Sequence, residues 1–178
     1  MTDSSAASAA PSTATLPTSP EAVIRRLREL GIAIEVHRHA PVFTVEESKA
    51  LRGELPGGHI KNLFLRNKKG DRMWLVVAEE DRRIDLKALA PLIGADKLSF
   101  GSPERLMTHL GVLPGSVTPL AIINDKDRKV EIVLDRALLA MNPLHCHPLT
   151  NDMTVALSPE GLLNFIEACG HKPRFIDL

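Results

Sequence analysis

The stretch "HIKNLFLRNKKGDRMWLVVAEE", residues 59 to 80, decides the fold. Two apolar runs flank the polar turn "KKGD", which reads as a β-hairpin. The first run opens on Lys61 and Asn62, an ammonium and an amide at the edge of an apolar strand. Lysine is rarely interior unless it is paired. Lys61 is therefore either a solvated strand end or a cation held against an anionic or carbonyl-bearing ligand.

Outward from the hairpin, helices and strands follow in irregular alternation. "SPEAVIRRLRELGI" is expected to be a helix with Ser19 as cap, Pro20 in the first turn and Gly31 as stop. "AIEVHRH" alternates as a strand, and "TVEESKALRG" reads as a short helix capped by Thr44 and closed by Gly53. Beyond the hairpin, "DLKALAPLIG" and "SPERLMTHLG" are expected to be helices. "SVTPLAIIND" and "KVEIVLD" read as strands around the charged turn "DKDR", with the first bulged or unpaired at Pro119. "MTVALS" is a further strand, "SPEGLLNFIEACG" a helix and "KPRFIDL" a closing strand. No repeat and no internal linker interrupts the series. The pattern predicts one α+β domain, a mixed and curved sheet with flanking helices, over residues 20–178. Residues 1–19, "MTDSSAASAAPSTATLPTS", are Ser-, Ala- and Thr-rich and read as a disordered tail.

The composition narrows the function. The 178 residues hold 22 basic and 22 acidic side chains, a formal charge of zero that argues against coating long nucleic acid. A site that grips one end of an RNA is still allowed. Aromatic residues make up 3% and tyrosine is absent, so an extended base-stacking platform is not expected. No run reaches membrane-spanning length, and no signal or transit peptide is recognisable. Two cysteines, Cys146 and Cys169, form no disulfide framework and fit a reducing compartment.

Four segments carry polar groups in chemically useful patterns. Beside Lys61-Asn62 stands "GVLPGSVTPLAI", where Gly115 lets backbone amides approach a ligand closely; an ordinary turn is the plain alternative. "NPLHCHPLTND" places His145, Cys146 and His147 together. Zinc takes three or four ligands, and nothing completes this set, so no metal is expected. "EVHRHAPVFTVEES" carries His37, His39 and Thr44, and Thr44 reads most simply as a helix cap. There is no nucleophile elbow, P-loop or dinucleotide fingerprint, and no cofactor is expected.

In order and spacing, these segments together resemble the freestanding prolyl-tRNA editing proteins of the YbaK and prolyl-tRNA synthetase insertion-domain superfamily. The resemblance runs from about residue 20 to the end. It rests on "LGIAIEVHRHAPVFTVEES", the lysine-bearing hairpin, the Gly-x-x-x-Pro loop from Gly115 to Pro119, and "HCHPLTNDMTVALSPEGLLNFIEACGHKP". The Val-Phe-Thr-Val-Glu-Glu and Gly-Ser-Val-Thr-Pro runs look most like the branch that deacylates alanine wrongly attached to proline tRNA. The resemblance implies hydrolysis of an aminoacyl ester, with Lys61 as the catalytic-site lysine and Asn62 as its polar companion. It places the Gly115 and Ser116 amides at the acyl end, Pro119 shaping the loop, and His147 at the border. Thr44, His145 and Cys146 carry over less directly.

The implied partner is the tRNA(Pro) acceptor end carrying alanine, met by a cytoplasmic monomer with prolyl-tRNA synthetase or elongation factor as transient company. Neighbouring readings are a cysteinyl-tRNA(Pro) deacylase and a catalytically silent module that binds an RNA end or a synthetase. "RNKKGDR", "KDRK" and "KPR" are local sources of positive charge, or merely solvated turns.

Overall fold

The computed structural model describes residues 16–52 and 55–178. Among them run eight strands: β1 (Ile34–Arg38), β2 (Gly58–Arg66), β3 (Met73–Glu79), β4 (Ser99–Phe100), β5 (Val130–Asp135), β6 (Leu144–Cys146), β7 (Met153–Leu157) and β8 (Arg174–Ile176). The helices are α1 (Pro20–Glu29), α2 (Val45–Arg52), α3 (Leu86–Leu92), α4 (Pro103–Leu110) and α5 (Pro159–Ala168). The order across the sheet is β1-β7-β6-β2-β3-β5-β8, with β4 also paired to β2. The β2–β3 hairpin is antiparallel and central, while β6 on β2, β5 on β3 and β8 on β5 are parallel. This is the mixed α+β sheet that the sequence predicts.

β3 explains why the middle of the sheet holds. Successive strand residues point to opposite faces, and both faces of β3 are covered, so its sequence is a continuous apolar run. Met73, Leu75 and Val77 enter the larger core with Leu27, Leu120 and Phe165. Trp74 and Val76 enter a smaller core with Leu89 and Ile93 of the α3 segment. Three helices open on the same Ser-Pro-Glu signal. Ser19, Ser102 and Ser158 each accept a backbone N–H from the first turn, and a proline follows where no N–H is needed.

Three expectations are corrected. "SVTPLAIIND" is not a strand. Pro119–Asn124 is a 3-10 helix capped by the Thr118 side chain, with Pro119 at its first position and Leu120, Ala121 and Ile122 buried. A proline that would break a ladder instead starts a helix, where its missing N–H does no harm. β4 and a second 3-10 helix, Arg136–Ala140, are elements the sequence reading does not contain. Order also begins before residue 20: Leu16 packs against the larger core, and the Thr18 hydroxyl donates to Asn124 Oδ1 at 2.5 Å. The expectations for residues 1–15 and for Gly53 fall outside the described residues.

Candidate active site

A cleft of about 560 Å³ opens where β1, the start of β2, β6 and the first turn of α2 meet beside the Gly115 loop. Lys61, Asn62, Gly115, His147 and Thr44 all line it. Segments separated by up to about a hundred residues of chain thus share one wall. Ser116 and Pro119 do not line it. Ser116 is buried, and its amide donates to the Leu113 carbonyl at 3.0 Å, so that amide is not offered to an acyl group. Pro119 lies buried in the 3-10 helix behind the loop.

Lys61 and Asn62 stand opposite Ala78 and Val77 in the hairpin register. Strand alternation directs successive side chains to opposite sides of β2, and both residues nevertheless border the cleft. The Lys61 ammonium donates to the Arg82 carbonyl. An ammonium has three donors, and among the described residues this is the one bond it makes. The Asn62 Oδ1 is buried and accepts no hydrogen bond from the described residues. An unmet buried acceptor costs about 1–3 kcal/mol. Asn62 also borders the cleft, so an acceptor without a partner sits at the cleft wall.

Five histidines line the cleft: His37, His39, His59, His145 and His147. Several are fasteners. His145 Nε2 donates to the Pro56 carbonyl and His59 Nε2 to the Leu55 carbonyl, each at 2.9 Å. Their rings stack with centroids 4.5 Å apart. The 55–59 loop is thereby tied to β6, next to the point where His59 pairs with His145 in register. His147 Nδ1 faces the Met153 carbonyl at 3.1 Å and donates to it. In neutral His147, Nε2 therefore carries the lone pair. Burial pushes the His147 pKa down, against the Met153 hydrogen bond, and nearby His39 pushes it down further. His39 is itself held between the Ala40 carbonyl and the Thr154 hydroxyl, each at 2.8 Å.

Thr44 caps α2. Its hydroxyl accepts the Glu47 N–H at 3.1 Å, and the Glu47 carboxylate accepts the N–H of the preceding residue, Phe43, at 2.7 Å. Gly115 has φ +88°, and a Cβ there would lie 3.0 Å from the Phe43 ring. Only glycine adopts this backbone without strain. Cys146 also borders the cleft, but burial pushes its thiol up to about 12. It stays a neutral thiol and is no nucleophile.

Sequence reasoning does not single out His59, Phe43 or Glu80 as cleft residues. His59 carries a usable signal, two positions before Lys61 on the same strand face. Phe43 and Glu80 reach the cleft through tertiary packing. The acidic trio Glu79, Glu80 and Asp81 lies beside it, with carboxylate oxygens within 4.8 Å of one another and Asp81 bound by Lys49.

Comparison with known proteins identifies the family. The profile of the aminoacyl-tRNA editing domain matches residues 39–165. The chain is 41% identical over 158 residues to the "Prolyl-tRNA editing protein ProX" of Acetoanaerobium sticklandii, covering 89% of this chain and 96% of that one. It is 42% identical over 160 residues to the bovine (Bos taurus) "Prolyl-tRNA synthetase associated domain-containing protein 1", covering 88% and 93%. Among solved structures, a candidate trans-editing enzyme for prolyl-tRNA synthetase shares the fold with a TM-score of 0.68 at 22% identity, over 92% of this chain and 99% of that one. The chain belongs to the aminoacyl-tRNA editing domain family.

Proposed function

We propose that this protein edits in trans, hydrolysing alanine wrongly attached to tRNA(Pro). The observation that carries the reading is the start of β2, where Lys61 and the unmet Asn62 carbonyl border one cleft. Names of the relatives, a prolyl-tRNA editing protein and prolyl-tRNA synthetase associated proteins, support proline tRNA as the carrier.

The reaction is ester hydrolysis. Water adds to the acyl carbon, charge gathers on the carbonyl oxygen, and the terminal ribose oxygen leaves with a proton as free alanine is released. The Lys61 ammonium supplies donors and charge where the oxyanion forms, and such stabilisation is often the largest catalytic term. Asn62 Oδ1 accepts from the substrate ammonium or a ribose hydroxyl and fixes the acyl end. With Cys146 neutral, no protein nucleophile is required, and the ribose hydroxyl beside the ester positions the water. Gly115, against the Phe43 ring, narrows the acyl end so that the proline ring collides and alanine fits. Exclusion by size discriminates more strongly than one lost methylene, worth about 1–3 kcal/mol. The protein works as a monomer in the cytoplasm and meets the synthetase or elongation factor only in passing.

The test is a deacylation panel of alanyl-, seryl-, cysteinyl- and prolyl-tRNA(Pro). The expected order is alanine, serine, cysteine, then proline last. Fastest hydrolysis of cysteine moves the assignment to a cysteinyl-tRNA(Pro) deacylase. Tight binding without hydrolysis of any substrate replaces the enzyme with a silent binding module.

A further inference from the structure

The neutral formal charge hides a strong separation. Residues 66–72, 126–129 and 172–174 hold nine basic against two acidic side chains, leaving 13 against 20 in the rest of the chain. The topology gathers these three segments at one end of the sheet. The first is the turn between β2 and β3. The second enters β5, whose Val130 lies level with Met73 in the parallel register. The third enters β8, whose Arg174 lies level with Val133. Four adjacent strands carry them, a span of roughly 15 Å at strand spacing.

Some of this charge is used within the fold. Arg72 binds Glu131 and lies over Trp74, and Arg174 donates to the Ile93 carbonyl. Lys68, Lys69, Lys126, Arg128, Lys129 and Lys172 are exposed, and none is in an ion pair among the described residues. The cleft lies at the opposite end of β2 and β3, roughly 20 Å along the strand from Lys61 to the turn. That end carries the acidic trio Glu79, Glu80 and Asp81 together with Lys49, Lys61, Arg82 and Arg83, so its charge is mixed where the distal end is mostly basic. The groups that receive the acyl end and the groups suited to a polyanion are therefore at opposite ends of one hairpin.

We propose that this distal basic end holds the phosphate backbone of the acceptor stem while the terminal nucleotide occupies the cleft. The proposal rests on the editing reading above. A separation of roughly 20 Å corresponds to about six base steps of duplex at 3.4 Å each. A stem gripped there reaches the cleft with its unpaired end. Phosphate contacts fix register and carry no sequence information, so the surface adds affinity and orientation without choosing the amino acid.

The experiment uses the full chain and two charge-removed variants, Lys68→Ala/Lys69→Ala and Lys126→Ala/Lys129→Ala. Alanyl-tRNA(Pro) is compared with a short single-stranded oligonucleotide carrying alanine at its 3′ end, across a salt series. Each variant should lose about ten-fold in kcat/KM on the tRNA, through KM, and flatten the salt slope by about 1 for every phosphate no longer neutralised. Hydrolysis of the short substrate should not change. Binding of an uncharged acceptor-stem hairpin should weaken in parallel, which tests the surface even if no ester is cleaved. Wild-type salt slope and hairpin affinity in both variants would overturn the proposal, as would equal losses on the short and long substrates. Failure of the wild-type protein to hydrolyse either substrate, with salt-dependent hairpin binding intact, would sink the editing reading and leave the RNA surface standing.

Discussion

From Leu63 to Leu65, β2 is core; from His59 to Asn62, the same strand is cleft. The backbone does not distinguish the two halves, because β3 pairs with β2 without interruption from Ile60 to Arg66. Side chains do. Phe64 and Leu65 are buried among apolar neighbours on the two faces. Lys61 and Asn62 spend that burial on polar groups, one of which is left unmet. A strand can therefore serve as scaffold and as site over seven residues, and the two halves should answer differently to mutation.

The largest stability effect belongs to the core half. Leu65→Ala should cost about 2–5 kcal/mol in chemical denaturation while turnover per folded molecule is kept. A loss below about 1 kcal/mol would erase the contrast. Gly115→Ala, on the cleft side, should cost about 1–2 kcal/mol from the left-handed backbone. It should also slow alanine hydrolysis, because the added Cβ must displace the Phe43 ring. Unchanged turnover would remove that loop from the acyl pocket.

Asn62→Leu sharpens the comparison most. It replaces an unmet buried acceptor with an apolar group of similar size, so stability should rise by about 1 kcal/mol while deacylation falls at least ten-fold. A destabilised variant would mean that the Asn62 amide has a structural partner after all.

The cleft half should also be sensitive to mild acid. Folded His147 resists protonation below its ordinary value of 6.5, chiefly through burial, whereas the unfolded chain takes up the proton there. Its contribution to stability is present above that value and is lost as pH falls through the lowered folded one. Melting temperatures of wild type and His147→Asn across pH 8 to 5 should diverge least at the acid end. A constant difference would assign the acid sensitivity elsewhere. The smallest effect expected is from deleting residues 1–15, which should leave melting and hydrolysis of a minimal acceptor substrate unchanged. A loss confined to full-length tRNA would make that segment an RNA-binding arm.

The hairpin, the Ser-Pro-Glu helices and the lysine were legible in the sequence because each rests on local chemistry: period-two apolar runs, a cap with a following proline, a cation at a strand edge. The 3-10 helix at Pro119–Asn124 was not. Its residues are as apolar as a buried strand, and only packing against α4 and α5 decides between the two. The bond from the Ser116 amide to Leu113 is not legible for a related reason, since it depends on how the loop closes. His59 is legible by counting, since it shares the Lys61 face of the strand. Phe43 and Glu80 join the cleft from segments whose contact no local pattern encodes. Charge separation was equally hidden, because three basic segments far apart in sequence meet only through parallel pairing of β3, β5 and β8.

Lys61→Ala tests the central claim most directly. Single-turnover hydrolysis of alanyl-tRNA(Pro) should fall at least a hundred-fold, comparable to losing one oxyanion donor. The melting temperature should stay close to wild type, since the ammonium's hydrogen bond within the fold is to a single carbonyl. A folded Lys61→Ala protein that hydrolyses alanyl-tRNA(Pro) at near wild-type rate would contradict the account.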